Sequence, residues 1–521
     1  MVKHQSAVAA ALGILLVSIT AEADTETEEV YRTYCAECHG ADRLGGRGPA
    51  LLPDNLGRLG RKGAAAVIAQ GRSATQMPGF AGTLDLARIE ALAEYIHSPP
   101  AAPPRWGMEE IAASRTYNDD VAALPDKPVF QADPRNLFVV VESGDHHVTI
   151  LDGDRFEPIE RFPSRFALHG GPKFTGSGRF VFFGSRDGWV TKYDLFNLKV
   201  VAEVRAGINL RNVALSRDGR YVAVANYLPH TLTILNADDL TPVKVIDAVD
   251  AKRSRTSRVS AVYDAPPRGS FIVALKDTPE IWEVPYRDDA PPIYRGLVHS
   301  HEAGMVEALG EDGTLNVRSI ALEAPLDDFV FTQDYRTLIG SSRDVKGAVV
   351  VNLNVGRPIA TIPISGLPHL GSGITWTWQG RPVLATPHLE EPAISIIDMT
   401  DWRVIKRIET KGPGFFLRSH ENTPYVWADA FLSKDRDTMQ VIDKRTLEII
   451  RTLKPDPGRT LAHTEFDRNG SHALVSLWEV DGALIVYDAI TLTEMKRIPM
   501  SKPSGKYNVH NKISLSAGTS H

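Results

Sequence analysis

Two cysteines are all that 521 residues contain. This excludes a disulfide framework and leaves core packing and cofactors to hold a chain easily long enough to bury a core. Long blocks of one charge are missing as well. The 58 basic and 64 acidic residues are spread along the chain to a net charge of −6, so the basic surface that nucleic-acid phosphates require is absent and a nucleic-acid role is excluded. The apolar run from Ala7 to Ile19 is shorter than the roughly 20 residues of a membrane span. It follows Lys3 and His4 and ends in Ala21-Glu22-Ala23, the pattern of a cleaved secretory signal over residues 1–23, with an uncleaved anchor as the alternative. No membrane span is expected after cleavage.

The two cysteines stand together in Cys35-Ala36-Glu37-Cys38-His39. Thiols three residues apart can each add to a vinyl group of a protohaem, and the adjacent histidine is then placed to ligate the iron. A zinc site would need a second ligand pair, and a thioredoxin-like site gives the histidine no role. The motif therefore predicts covalent haem c, and export through the signal places it in a bacterial periplasm. A Gly-rich loop follows, Gly40 to Leu51, and Thr75-Gln76-Met77-Pro78-Gly79-Phe80 then offers a thioether on a rigid turn before an apolar-periodic helix, Leu84 to His97. His39 and Met77 are the expected axial ligands, a pairing that raises the potential as an electron-transfer haem requires. This small all-α cytochrome c domain is expected over 24–100. Pro99 to Pro104 closes it with four prolines, which cannot continue a helix, and residues 101–128 read as a linker with a short helix around Glu109 to Ser114.

From Val129 the chain turns into short β-rich runs. Eight of them end in alternating apolar residues, mostly before an Asp or Asn: His147–Asp152, Trp189–Asp194, Thr231–Asn236, Ile281–Tyr286, Ala348–Asn352, Ile394–Asp398, Met439–Asp443 and Leu484–Asp488. Several recur at the roughly 40–45-residue spacing of a four-stranded blade, with turn signals such as Asp467-Arg468-Asn469-Gly470 between them. An eight-bladed all-β propeller over 129–521 is the economical reading. Residues 287–322, with His299 and His301, read as an insertion between the fourth and fifth blades. A propeller channel gathers loops from every blade around one axis, a suitable cradle for a large planar cofactor, without saying which.

The order of cytochrome domain, connector and propeller, with Phe166-Ala167-Leu168-His169 followed by Gly178 to Asp187, resembles the cytochrome cd1-type nitrite reductases. The resemblance covers nearly the whole mature chain and implies a non-covalent haem d1-type tetrapyrrole in the propeller, its iron ligated by His169. Of the two histidines that reductases place over the open side of that haem, one matches His369 in Gly366-Leu367-Pro368-His369. The other is expected at Tyr335, and a tyrosine with a pKa near 10 is a poor proton source at pH 7. Pro457 to Phe466, which contains His463, and Pro503 to Val509, which contains Tyr507, are instead similar to the paralogous branch that completes haem d1 by dehydrogenating dihydro-haem d1. That branch implies His463 as general base, with Tyr507 and His369 orienting the reacting carboxylate or binding the iron's other face. Electrons would drain through haem c to a periplasmic acceptor, and the product would pass to the nitrite reductase that uses it. Arg186 and Arg211, with Arg343 as a weaker third, fall in segments resembling carboxylate-binding parts of the family. Tyr227, His230, His388, His420 and Trp478 are further channel candidates, His420 foremost. Nitrite reductase and non-catalytic haem d1 carrier stand as the competing readings.

Overall fold

A computed structural model describes residues 25–46, 48–57, 59–71, 77–100, 102–118, 121–294 and 310–515. The expected signal segment, 1–23, and the two histidines of the insertion lie outside the described residues. The chain divides into two compact units, Met1–Arg105 and Trp106–His521.

In the first unit, residues 25–34 are helical, and short helices span Ala36–His39 and Pro53–Leu56. Two longer ones, Gly60–Gln70 and Leu86–Ile96, pack on them. The last starts at Asp85, whose carboxylate accepts the amide of Arg88 at 2.8 Å and so satisfies one of the donors a helix N-terminus leaves unpaired. Its apolar spacing puts Ile89, Leu92, Ala93 and Ile96 into one core with Tyr31, Cys35 and Ile68.

The second unit is the eight-bladed propeller: eight four-stranded antiparallel sheets, one extended by a fifth strand, among the described residues. Blade 1 is closed by the C-terminal strand Pro503–Asn508, which pairs with Leu137–Glu142. Blades 2, 3 and 4 have first strands Lys173–Phe174, Asn209–Leu215 and Val259–Ala265. Those of blades 5 to 8 are Asp328–Phe331, Ile374–Trp378, Leu417–Arg418 and Leu461–Phe466. Each run singled out by its alternating pattern forms the third strand of its blade.

The recurring Asp or Asn has a structural cause. Its side chain accepts the backbone amide two residues on, at 2.8 Å in Asp152 and Asn236, 2.9 Å in Asp194 and 2.7 Å in Asp443. This Asx turn starts the hairpin to the outer strand. Four residues beyond it the backbone is left-handed in Phe156, Leu198, Leu240, Trp402, Leu447 and Leu492. Only blade 4 lacks the device. There Pro285 leads into the insertion, which holds a two-stranded ribbon, Ile293–Tyr294 with Gly310–Glu311, before the outer strand Arg318–Ala321.

Neighbouring blades share apolar cores, as with Phe182, Val190 and Val204 of blade 2 against Leu210, Val213 and Val224 of blade 3. Each such buried side chain contributes about 1.5–3 kcal/mol. Part of the expected linker belongs to this body. The helix Met108–Ser114 buries Ile111 in that same cluster, Trp106 donates its indole N–H to the carbonyl of Arg205 at 2.7 Å, and Thr116–Tyr117 forms the fifth strand of blade 2. At the other end of the chain, the short helix Val509–Ser514 follows the closing strand, capped by Asn508.

Candidate active site

In the helical unit the site is built on contact. His39 is buried, and its Nδ1 lies 2.7 Å from the carbonyl of Pro49. A carbonyl only accepts, so Nδ1 carries the proton and Nε2 keeps its lone pair for a metal. Burial holds the ring below its ordinary pKa, hence neutral. Gly48 lies against the ring, since a Cβ there would come within 2.7 Å of Cε1. Cys35 and Cys38 are in no disulfide. Met77 sits in a loop pinned to the end of the helix Gly60–Gln70: Phe80 donates to Ile68 at 2.9 Å, and a Cβ on Gly71 would come within 2.8 Å of the Met77 carbonyl. These residues fit haem c: two available thiols, a neutral imidazole with one nitrogen kept for iron, and a thioether on a fixed turn.

In the propeller, a cavity of about 260 Å³ opens where the innermost strands begin, and every blade contributes to it. His169 comes before the first strand of blade 2, next to Gly170 and Gly171, both with positive φ. A Cβ on Gly171 would press on the Tyr507 ring at 3.1 Å, so only glycine lets this loop approach the closing strand. His169 Nδ1 faces the carbonyl of Arg211 at 2.7 Å, which leaves Nε2 as the basic nitrogen. Arg186 Nη2 lies 2.9 Å from that nitrogen, and Arg211 Nη1 lies against the ring, 2.9 Å from Nδ1 and 3.0 Å from Nε2. The expected cation pair and the expected ligand therefore form one cluster.

His369, before the first strand of blade 6, repeats the arrangement. Its Nδ1 lies 2.7 Å from the carbonyl of Phe415, and its Nε2 lies 3.9 Å from Asp328 Oδ2. Burial holds its pKa below the ordinary value against the opposing pull of Asp328. Asp328 also accepts the hydroxyl of Tyr263 at 3.0 Å.

His463 occupies a β-bulge. Strand pairing in blade 8 skips it between Ala462 and Thr464, and its φ is 45°; the extra residue re-aims one side chain out of the sheet's alternation. The imidazole is 1% exposed. Its Nδ1 has no hydrogen-bond partner, and its Nε2 lies 3.5 Å from Arg418 Nη2. The ring meets Phe416 edge-on at 4.8 Å and Tyr507 at 5.5 Å. Burial first, then the positive charges of Lys506, Arg418 and Lys512, hold its pKa well below the ordinary value, so the ring is a neutral acceptor at pH 7. Burial pushes Tyr507 up to about 12, which keeps its hydroxyl protonated.

Tyr335 is not at this face. The strand Asp328–Phe331 starts at the cavity and runs away from it, so the hairpin that follows carries Tyr335 to a second, smaller cavity of about 100 Å³, shared with Lys512 and Asp264. Asp328, at the strand's start, is the residue beside His369. Arg343 is also displaced: it is exposed, with its backbone N–H on the Asp327 carboxylate at 2.8 Å. His420 is buried but lines neither cavity, accepting the amide of Asn422 at 3.1 Å. His388 is tied to Ser395 at 3.0 Å. Tyr227, His230 and Trp478 do not line the cavity either. Sequence reasoning passed over Tyr263, Asp328, Arg418 and Phe416. Arg418 and Phe416 lie two and four residues before His420, and the start of an innermost strand was the signal that would have favoured them.

The cytochrome D1 heme domain family matches residues 132–301 and 293–512, and the family of cytochrome C oxidase, cbb3-type, subunit III matches 22–96. A dihydro-heme d1 dehydrogenase of Pseudomonas aeruginosa is 55% identical over 98% of this chain and 99% of its own. A nitrite reductase of Stutzerimonas stutzeri is 25% identical over 95% and 94%. The solved structure of dihydro-heme d1 dehydrogenase NirN in complex with DHE superposes with a TM-score of 0.87 at 56% identity, covering 93% of this chain and 99% of the other.

Proposed function

We propose, given that this chain belongs to the cytochrome D1 heme domain family and to its dihydro-haem d1 dehydrogenase branch, that it converts the propionate side chain of dihydro-haem d1 into the acrylate of haem d1. The balance is simple: one carbon–carbon single bond becomes double, and two protons and two electrons leave the side chain. His169 holds the substrate iron through Nε2, and His369, which lines the same cavity from blade 6, binds the iron's other face. Arg186, Arg211 and Arg418 pair with substrate carboxylates, a task that suits the planar guanidinium. His463 takes a proton from carbon, and Tyr507 directs its hydroxyl at the reacting side chain. Burial and the neighbouring cations hold the His463 pKa below its ordinary value, which keeps the ring free to accept a proton at pH 7. Haem c, held by Cys35, Cys38, His39 and Met77, supplies a one-electron acceptor. Attachment of haem c and the N-terminal pattern point to the periplasm, where an outside acceptor takes the electrons and a nitrite reductase takes the product.

The observation that carries this reading is the His463 imidazole: buried in the cavity wall, held below its ordinary pKa, and re-aimed by a bulge beside Tyr507. The nitrite reductase reading needs its second proton-donating histidine at the position of Tyr335, and that side chain is a tyrosine that lines the smaller cavity instead. Adding dihydro-haem d1 anaerobically to the oxidised protein should convert its spectrum to that of haem d1 and reduce haem c. Release of unchanged tetrapyrrole would make the protein a carrier, and nitrite turnover at a reductase's rate would place it in the other branch.

A further inference from the structure

We infer that Asp429 is a positioning residue for both His369 and His463, acting with Lys506; the inference rests on the roles proposed above for those histidines. Asp429 ends the second strand of blade 7, Tyr425–Asp429, and is 3% exposed. Its carboxylate accepts four backbone N–H groups. Oδ1 takes those of Phe415 at 2.8 Å and Phe431 at 3.4 Å, and Oδ2 takes those of Phe416 at 3.1 Å and His463 at 3.4 Å. Two of these contacts reach the histidines by separate routes.

The first runs through Phe415, whose amide is held by Asp429 and whose carbonyl holds His369 Nδ1 at 2.7 Å. Loosening this peptide frees the ring whose Nε2 faces the cavity. The second runs to the bulge. His463 lies outside the strand ladder, so its amide and carbonyl need other partners in a dry interior. Asp429 takes the amide. The carbonyl accepts Lys506 Nζ, which also donates to Ser476 Oγ at 2.7 Å. A buried carboxyl group and a buried amine thus grip the two sides of one residue held at φ 45°, while Phe416, anchored on the same carboxyl group, packs against the ring. The loop is shaped for this: a Cβ on Gly414 would come within 2.6 Å of the Asp429 carbonyl. One carboxylate therefore couples two histidines that lie on different blades.

The test uses full-length protein carrying haem c, with dihydro-haem d1 as the probe. Asp429→Asn removes the charge and one of the two acceptor oxygens while keeping the shape. Acrylate formation per bound substrate should fall by about 10–100-fold, as for other lost supporting contacts, and the absorption of the bound iron should shift as His369 loosens. Lys506→Met releases the His463 carbonyl and Ser476 Oγ but leaves the Phe415 peptide held by Asp429, so the rate should fall with the iron spectrum unchanged. A lower melting temperature with unaltered rate and spectrum in Asp429→Asn would overturn the inference, as would failure of both variants to fold, which assigns the pair a structural role. If wild-type protein binds dihydro-haem d1 without converting it, the functional reading fails instead, and the spectral shift in Asp429→Asn still decides whether the carboxylate positions His369.

Discussion

The helical unit keeps its two thiols and one expected iron ligand within one short stretch, Cys35 to His39, with Met77 on a separate loop, while the propeller gathers its cavity from all eight blades, with Tyr507, His169, Arg211, Tyr263, Asp328, His369, Arg418 and His463 as one contribution from each. The first arrangement works because a single helical turn places thiols and imidazole together. The second works because every innermost strand starts at the same mouth of the channel. Concentration makes a site legible and indivisible. Dispersal lets binding, ligation and proton transfer be assigned to different blades, and it demands supports such as Asp429 that tie blades together.

The hardest blow to that contrast would come from His463→Ala. If labour is divided, acrylate formation should fall by about 10²–10⁴-fold, the usual loss for a general base, while dihydro-haem d1 binds with its own spectrum. Binding lost together with rate would mean that the dispersed site is as indivisible as the local one. His169→Ala should act on the other half of the division, weakening tetrapyrrole binding by about 10–100-fold and leaving the haem c spectrum as it was; equilibrium titration measures the first, visible absorption the second. The smallest effect sharpens the comparison from the helical side. Asp85→Ala removes the cap of the helix Leu86–Ile96 and should cost about 1 kcal/mol, lowering the thermal transition of the cytochrome unit alone while the propeller's stays in place.

Much of this was readable before any coordinates. The haem motif was, because its geometry is local. The blade count was, because Asp152, Asp194, Asn236 and their counterparts repeat an Asx turn whose chemistry depends only on neighbours in sequence. His169, His369, His463 and Tyr507 were reached through the resemblance, and the fold brings all four to one cavity. Tyr335 and His420 mark where that reading gave out. Which end of a strand faces the channel mouth is a tertiary property: Asp328 and Tyr335 lie close together in sequence, yet line different cavities. Asp429 was invisible for a related reason, since its partners are backbone amides, and backbone amides leave no trace in a sequence.

The closing strand has a consequence for truncation. Pro503–Asn508 completes the blade that Leu137–Glu142 begins, and it carries Tyr507 to the cavity and Lys506 to the carbonyl of His463. The ring is sealed by a segment that follows all of blades 2 to 8 along the chain. A chain that contains His169 and His369 but not this strand lacks Tyr507, a contribution of blade 1 to the cavity. A stop before Pro503 therefore removes the strand that closes blade 1, and with it both Tyr507 and the Lys506 that holds the His463 carbonyl.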